Sequence, residues 1–324
     1  MLRRNFLNTL AGTTLAAGIP TAGNAQNQPY PNKPIKVILP IGAGGVADLL
    51  MRLITDKISI GQPFVLENRP GAGGNIGMDA VARAAPDGYT LLMNGPSSAI
   101  NAALYKKLTF DPVKDFIPVS MVATAPFAVF ISGKLPVTNL TQFIAYAKAN
   151  PGKLNYASIG AGSAGHLSAV LFTAAAGIDM VHVPYRSIQA ASVDLVAGSV
   201  QLVFNAYPPL AQLLQGDKLR LLGFSSLKRL QSYPDVPTLS ESGLPGFETG
   251  GWYLFAVPAG TPREIVQLLN AEFVRAIKLP EVSEGILKAG FVPLALGLEE
   301  TNRFFLKEVD NWGRAVKASG AQAD

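Results

Sequence analysis

The sequence predicts an α/β protein of two lobes with a ligand cleft between them. Three observations carry that reading. Short apolar strand patterns alternate with helical ones along the 324 residues, as in chains built of βα units. A unit of strand, Gly-rich turn and helix opens the first half and recurs in the second. Two extended segments, near 119–131 and near 244–257, read as crossings from one lobe to the other and back, and a cleft between lobes so joined is a preferred ligand site. The length is about twice that of a typical domain, and 48% apolar residues supply two cores.

The elements follow in order. Residues 1–25 read as an export signal. Arg3-Arg4 precede a mildly apolar stretch, Leu7 to Ile19, too short to cross a bilayer. Gly23-Asn24-Ala25 places small residues where a signal peptidase cuts before Gln26. The Arg-Arg-x-Phe-Leu start resembles a twin-arginine signal; a general secretory signal with two arginines is the alternative, and either exports the chain. After a Pro-rich leader, Ile35–Leu39, Pro63–Glu67 and Tyr89–Met93 read as strands, and Asp48–Ile58 and Ile76–Ala84 as helices. In the second half the strands are Leu154–Ser158, Met180–Val183, Val200–Phe204 and Leu219–Phe224. The helices there are Thr141–Ala149, His166–Ala176, Ala190–Ala197 and Pro209–Gln215. Trp252–Val257 is extended, Pro262–Ala276 is a helix with Thr261 as N-cap, and Glu299–Ala318 is a long C-terminal helix.

Composition excludes several chemistries. With no Cys there are no disulfides, thiolate metal sites or thiol nucleophiles, and two histidines are too few for an ordinary zinc site. An exported chain without Cys is compatible with a bacterial periplasm. The net charge is +5, but Arg3 and Arg4 lie in the leader and the other bases are scattered, so no nucleic-acid stripe forms. No metal or cofactor is expected, and the chain is expected to be a monomer.

The first Gly-rich turn runs Pro40-Ile41-Gly42-Ala43-Gly44-Gly45-Val46-Ala47-Asp48. Between a strand and a helix, its unencumbered N–H groups and the helix N-terminus make an anion site, which points to Ile41, Gly42, Ala43, Gly44 and Gly45. A turn that merely needs positive φ would require fewer than three glycines in four residues. Asp48, in the first helical turn, caps the helix and orients the loop or a ligand group. The turn also fits a dinucleotide fingerprint, Gly42-x-Gly44-x-x-Ala47 with Glu67 twenty residues on, which keeps an exported NAD(P)-dependent oxidoreductase as the alternative. The export signal and the lack of a hydride-transfer constellation count against it. Gly160 to His166 is the matching turn of the second half, and Gly162, Ser163 and His166 are its ligand candidates. Ser163 with His166 could also be a nucleophile and base, but no Gly-x-Ser-x-Gly elbow surrounds Ser163; a capping Ser and a loop-bracing His fit better. His182 reads as structural. Ser97-Ser98, after the third strand, open another helix with hydroxyl donors, and Asn205 ends a strand at the equivalent edge; both places are the ligand edge of an open α/β sheet. Trp252 and Trp312 read as core or hinge packing.

Longer segments carry a resemblance. They include Tyr30-Pro31-Asn32-Lys33-Pro34-Ile35, Glu67-Asn68-Arg69-Pro70-Gly71-Ala72-Gly73-Gly74-Asn75-Ile76-Gly77 and Ala85-Pro86-Asp87-Gly88-Tyr89-Thr90-Leu91. Further along come Asp111-Pro112-Val113-Lys114-Asp115-Phe116, His182-Val183-Pro184-Tyr185, Pro234-Asp235-Val236-Pro237-Thr238 and Pro258-Ala259-Gly260-Thr261-Pro262. With them the chain resembles the Bug-type receptors of tripartite tricarboxylate transporters, which are periplasmic solute-binding proteins. The resemblance implies a type II-like periplasmic-binding-protein fold that hinges shut on a small carboxylate and hands it to membrane permease subunits without catalysis. It implies lobes of 26–122 plus 250–324 and of 123–249, and adds Gly74 and Asn75 to the first lobe's side of the cleft. Three positions depart from the family's pattern: Val46-Ala47 after the double Gly, Asn205 where Asp is frequent, and Arg186-Ser187 after Tyr185.

Overall fold

The computed structural model describes residues 30–44 and 46–323. The expected export signal, Gln26 and Gly45 lie outside the described residues. The first strands and helices are β1 (Ile35–Leu39), α1 (Val46–Thr55), β2 (Phe64–Asn68), α2 (Asn75–Ala82), β3 (Thr90–Asn94), α3 (Pro96–Leu104) and β4 (Phe116–Pro126). Next come β5 (Ala128–Ser132), α4 (Leu140–Ala149), β6 (Leu154–Ser158), α5 (Ala164–Ala176), β7 (Met180–Pro184), α6 (Ile188–Ala197), β8 (Leu202–Asn205) and β9 (Leu219–Phe224). The return run is β10 (Gly250–Pro258), α7 (Arg263–Ile277), α8 (Pro280–Lys288), β11 (Val292–Pro293) and α9 (Leu298–Ser319).

These strands form two sheets, ordered β11-β4-β10-β3-β1-β2 and β7-β6-β8-β5-β9. β1 is parallel to β2 and β3, and β6 is parallel to β7 and β8. In each sheet these parallel strands meet antiparallel ones: β10 against β3 and β4, and β5 against β8 and β9. Parallel strands must be buried on both faces, which explains their continuous apolar runs. Val37, Leu39, Leu91 and Met93 pack under α1 and α7, while Ile38 and Leu92 pack on the other face with Trp252 and Trp312. The second sheet is likewise covered on both faces, around Phe143 and Phe172 on one side and Phe130 and Leu195 on the other.

The chain changes sheets at two adjacent places. β4 keeps its pairing in the first sheet to Pro126, which stands opposite Gly250 of β10. Ser225 ties the two crossings together, although it is fully buried. Its hydroxyl accepts from the Phe127 N–H at 2.9 Å and donates to the Thr249 carbonyl at 2.6 Å. Its own N–H donates to Phe127, and the Thr249 N–H returns to Ser225. Gly250 has φ +155°, and a Cβ there would stand 2.8 Å from the Ala125 carbonyl oxygen, so the close approach of the crossing strands requires glycine.

Several elements differ from expectation. The N-cap position of α7 is Pro262, not Thr261; the Thr261 hydroxyl turns back to the Pro258 carbonyl at 2.7 Å. The extended stretch expected over 119–131 is two strands that meet at Phe127, and the one expected near 244–257 begins only at Gly250. The helix expected over Pro209–Gln215 is a 3-10 segment, Pro208–Asp217, broken at Gln215 and Gly216. α8 and β11 were not foreseen, because a short helix with an internal Gly and a two-residue strand leave little periodic signal. Trp252 and Trp312 are core residues, each 1% exposed, and both indole N–H groups donate to the Glu308 carboxylate, at 2.8 and 2.9 Å. Among the described residues no helix is long and apolar enough to cross a membrane.

Candidate functional site

The C-terminal ends of β1, β3, β6 and β8 open onto one cavity of about 840 Å³. Residues of both sheets line it, and the crossing segment Ala125–Phe127 joins the two walls. This is the crevice where open α/β sheets bind ligands. None of the described lining residues carries a formal charge.

The first wall starts after β1, where Ile41 and Gly42 line the cavity. Ala43 and Gly44 are exposed outside the lining, and Asp48 is buried and does not reach it. The Asp48 side chain, almost fully buried, accepts from the Gly44 N–H at 3.2 Å, from Arg52 at 3.4 Å and from Asn68 at 3.4 Å. Burial alone would raise the Asp48 pKa, but these hydrogen bonds outweigh it and hold the carboxyl below its ordinary value. Asn68 also donates to the Ile41 carbonyl, at 3.3 Å. Asp48 is thus the brace of the turn. At the next turn Gly73 reaches the cavity and Gly74 and Asn75 do not. Asn101 of α3 laces this turn, donating to the Gly73 carbonyl at 3.0 Å and to the Asn75 side chain at 2.8 Å.

α3 begins with Pro96 in its first turn, which leaves the N–H of Ser97 as a free helix-start donor. The two serines then divide. Ser98 is fully buried and spends its hydroxyl on the Gly95 carbonyl at 2.9 Å. Ser97 lines the cavity, and its hydroxyl has no partner among the described residues.

The second wall is the turn before α5. Ser163 is its N-cap: its Oγ accepts from the His166 N–H at 3.3 Å and donates to the Gly160 carbonyl at 2.8 Å. The Gly162 N–H donates to His166 Nδ1 at 3.1 Å, so the neutral ring carries its proton on Nε2. Gly162, Ser163 and Ala164 line the cavity, while His166 lies behind them. His166 stacks on His182 with ring centroids 3.9 Å apart, and His182 stacks on Tyr156 at 5.1 Å. Burial, with the neighbouring His182 second, pushes the His166 pKa down to about 4. His182 is hydrogen-bonded to the Ser158 hydroxyl at 2.7 Å. Ser163 and His166 are therefore joined through backbone, not as nucleophile and base. At the end of β8, Asn205 stops short of the lining and Ala206 and Tyr207 supply it.

Of the foreseen residues, the cavity brings together Ile41, Gly42, Ser97, Gly162 and Ser163. Gly45 lies outside the described residues. The lining also holds residues not foreseen: Tyr105, Phe127, Tyr207, Tyr233, Tyr253 and Phe291. Tyr207 lies two residues beyond the strand end at Asn205, a position that points to the cleft. Tyr233 sits in an aperiodic loop with no local signal. Glu67, the ribose-binding residue of the dinucleotide alternative, is on β2 at the sheet edge, and its carboxylate pairs with Arg69 and, at 3.0 Å, Lys36.

Comparison with known proteins agrees with this architecture. The family model described as the tripartite tricarboxylate transporter family receptor matches residues 50–321. Protein BugT of Bordetella pertussis is 34% identical over 297 residues, which span 90% of this chain and 91% of BugT. An R. palustris protein solved with adipate is 32% identical with a TM-score of 0.74, covering 90% of this chain and 99% of that one. MatC from Rhodopseudomonas palustris, solved with bound malate, is 31% identical with a TM-score of 0.69, covering 89% and 100%. With its two sheets, their shared crevice and a match over most of its length, the chain belongs to the tripartite tricarboxylate transporter receptor family.

Proposed function

We propose that this chain is a periplasmic receptor that captures a small organic carboxylate in the cleft and delivers it to the membrane permease subunits of a tripartite transporter. The observation that carries the reading is the wall chemistry. Residues of both sheets supply neutral donors to one cavity whose described lining carries no charge. The Ser97 N–H and the Ala164 N–H are orphan donors at the first turns of α3 and α5, and the free Ser97 hydroxyl stands beside the first of them. Helix starts of this kind hold a carboxylate without a buried Arg, each contributing about 0.3–1 kcal/mol. That relatives of the same family were solved with adipate and malate supports the ligand class.

The lobes are then 26–122 plus 250–324 and 123–249, residues 1–25 export the chain, and it works as a monomer. Closure is a hinge motion about the adjacent crossings, with ligand shifting the population toward the closed form. The receptor turns nothing over.

Calorimetric titration and thermal shift of residues 26–324 against carboxylates, amino acids and NAD(H) test the reading. A carboxylate at 100 times its Kd is expected to stabilise the chain by about 2.7 kcal/mol. Ser97→Ala is expected to weaken that carboxylate about tenfold, the worth of one hydrogen bond to a charged group. Stabilisation by NAD(H) alone would overturn the receptor reading and restore the dinucleotide alternative.

A further inference from the structure

Aromatic rings line the cavity from both sheets. Tyr207 and Tyr233 line it with ring centroids 4.4 Å apart. Phe224 backs both rings, at 5.8 Å from Tyr207 and 5.4 Å from Tyr233. Phe130 stacks behind Tyr207 at 6.1 Å, so the wall is anchored in the core of the second sheet. From the first sheet, Tyr253 meets Phe291 edge to face at 5.5 Å, and both rings line the same cavity. Phe127, at the crossing between sheets, and Tyr105, just after α3, complete the aromatic surround.

The hydroxyls of Tyr207, Tyr233 and Tyr253 have no hydrogen-bond partner among the described residues. Together with Ser97 and the two helix starts, they make the polar inventory one of neutral groups. Among the described residues no lining Lys, Arg or His stands ready to neutralise a second anionic group. A second carboxylate placed among these rings would lose its water to a surface that offers no compensating charge. A flat apolar body placed there would instead bury its faces against rings that prefer offset or edge-on contact at these separations. The volume, about 840 Å³, leaves room for such a body beyond the carboxylate.

We infer that the solute is an aromatic monocarboxylate, its carboxylate on the helix starts at Ser97 and Ala164 and its ring against Tyr207 and Tyr233. This deepens the receptor reading and rests on it. It separates this chain from the two relatives solved with adipate and malate, which are aliphatic dicarboxylates. The tyrosine hydroxyls would also accept or donate to hydroxyl groups on the ring.

The test is calorimetric titration of residues 26–324 with benzoate, phenylacetate, succinate and adipate. An aromatic acid is expected to bind at least tenfold tighter than either aliphatic diacid. Tyr233→Ala is expected to weaken the aromatic acid about tenfold or more and the aliphatic diacids by a clearly smaller factor. Tyr233→Phe keeps the ring and is expected to retain most of the affinity. Far-UV circular dichroism and the melting midpoint of each variant show that it is folded. Tighter binding of succinate or adipate would overturn the inference while leaving the receptor reading intact. Equal losses for both classes in Tyr233→Ala would also overturn it. Binding of no carboxylate at all would sink the receptor reading itself.

Discussion

The two Gly-rich turns share a sequence plan but are held by opposite chemistry. Both follow the C-terminus of a parallel strand, both open a helix, and both put a glycine against the cavity, Gly42 in one and Gly162 in the other. The first is braced by a charge: buried Asp48 gathers Gly44, Arg52 and Asn68. The second is braced by a neutral ring: His166 takes the Gly162 N–H and stacks on His182. The glycines of such a turn are therefore not all free donors. One N–H in each turn is consumed by the brace, and what faces the ligand is what the brace leaves over. The plan is also set deeper than the motif, since two unrelated side chains solve the same problem of pinning a loop whose own residues cannot pack.

The largest expected consequence is a difference in acid stability. His166 is held neutral with its pKa near 4, below the ordinary 6.5, so between those values the unfolded chain binds the extra proton. Stability is therefore complete above about pH 6.5 and falls as pH drops toward 4, by on the order of 3 kcal/mol. His182, also lowered by burial, adds in the same direction. Urea denaturation across pH 4–7 measures the slope, and His166→Gln, which keeps an acceptor for Gly162 but does not titrate, is expected to flatten it. An unchanged slope in that variant would show that the second turn's brace does not set the acid response. Asp48 acts in the same direction over a lower window: its lowered pKa gives stability that is present above about pH 4 and is lost as pH falls further.

Next in size is Asp48→Asn. The shape survives but the charge-assisted bonds to Arg52 and the Gly44 N–H weaken, for an expected loss of about 1–2 kcal/mol. The urea midpoint at pH 7 reads it, and an unaltered midpoint would mean that the first turn needs no charge.

The smallest effects separate two serines that look alike in sequence. Ser163→Ala removes an N-cap and is expected to cost about 1 kcal/mol of stability. Ser97→Ala removes a hydroxyl with no partner among the described residues and is expected to change stability by less than about 0.5 kcal/mol while lowering ligand affinity. Thermal midpoints with and without ligand distinguish them; a stability loss at Ser97 matching that at Ser163 would place Ser97 in the scaffold.

The sequence by itself determined the alternation of strands and helices, the positions of both turns and the hydroxyl-bearing starts of α3 and α5. These rest on local signals: apolar period, capping residues and clusters of glycine act within a few residues of one another. It also contained the long segments that mark the family. Only the tertiary structure decided which N–H groups are spent, because a hydrogen bond from Gly44 to Asp48 or from Gly162 to His166 depends on how each loop folds over. Only it showed that α7 starts without Thr261, whose hydroxyl finds a nearer carbonyl. Only it assembled Tyr207, Tyr233 and Tyr253 around one cavity and bound the crossings through Ser225. In a sequence a tyrosine reads the same in a core as on a wall. Apolar burial has no direction along the chain, so which rings are left facing an open space is settled only when distant segments pack.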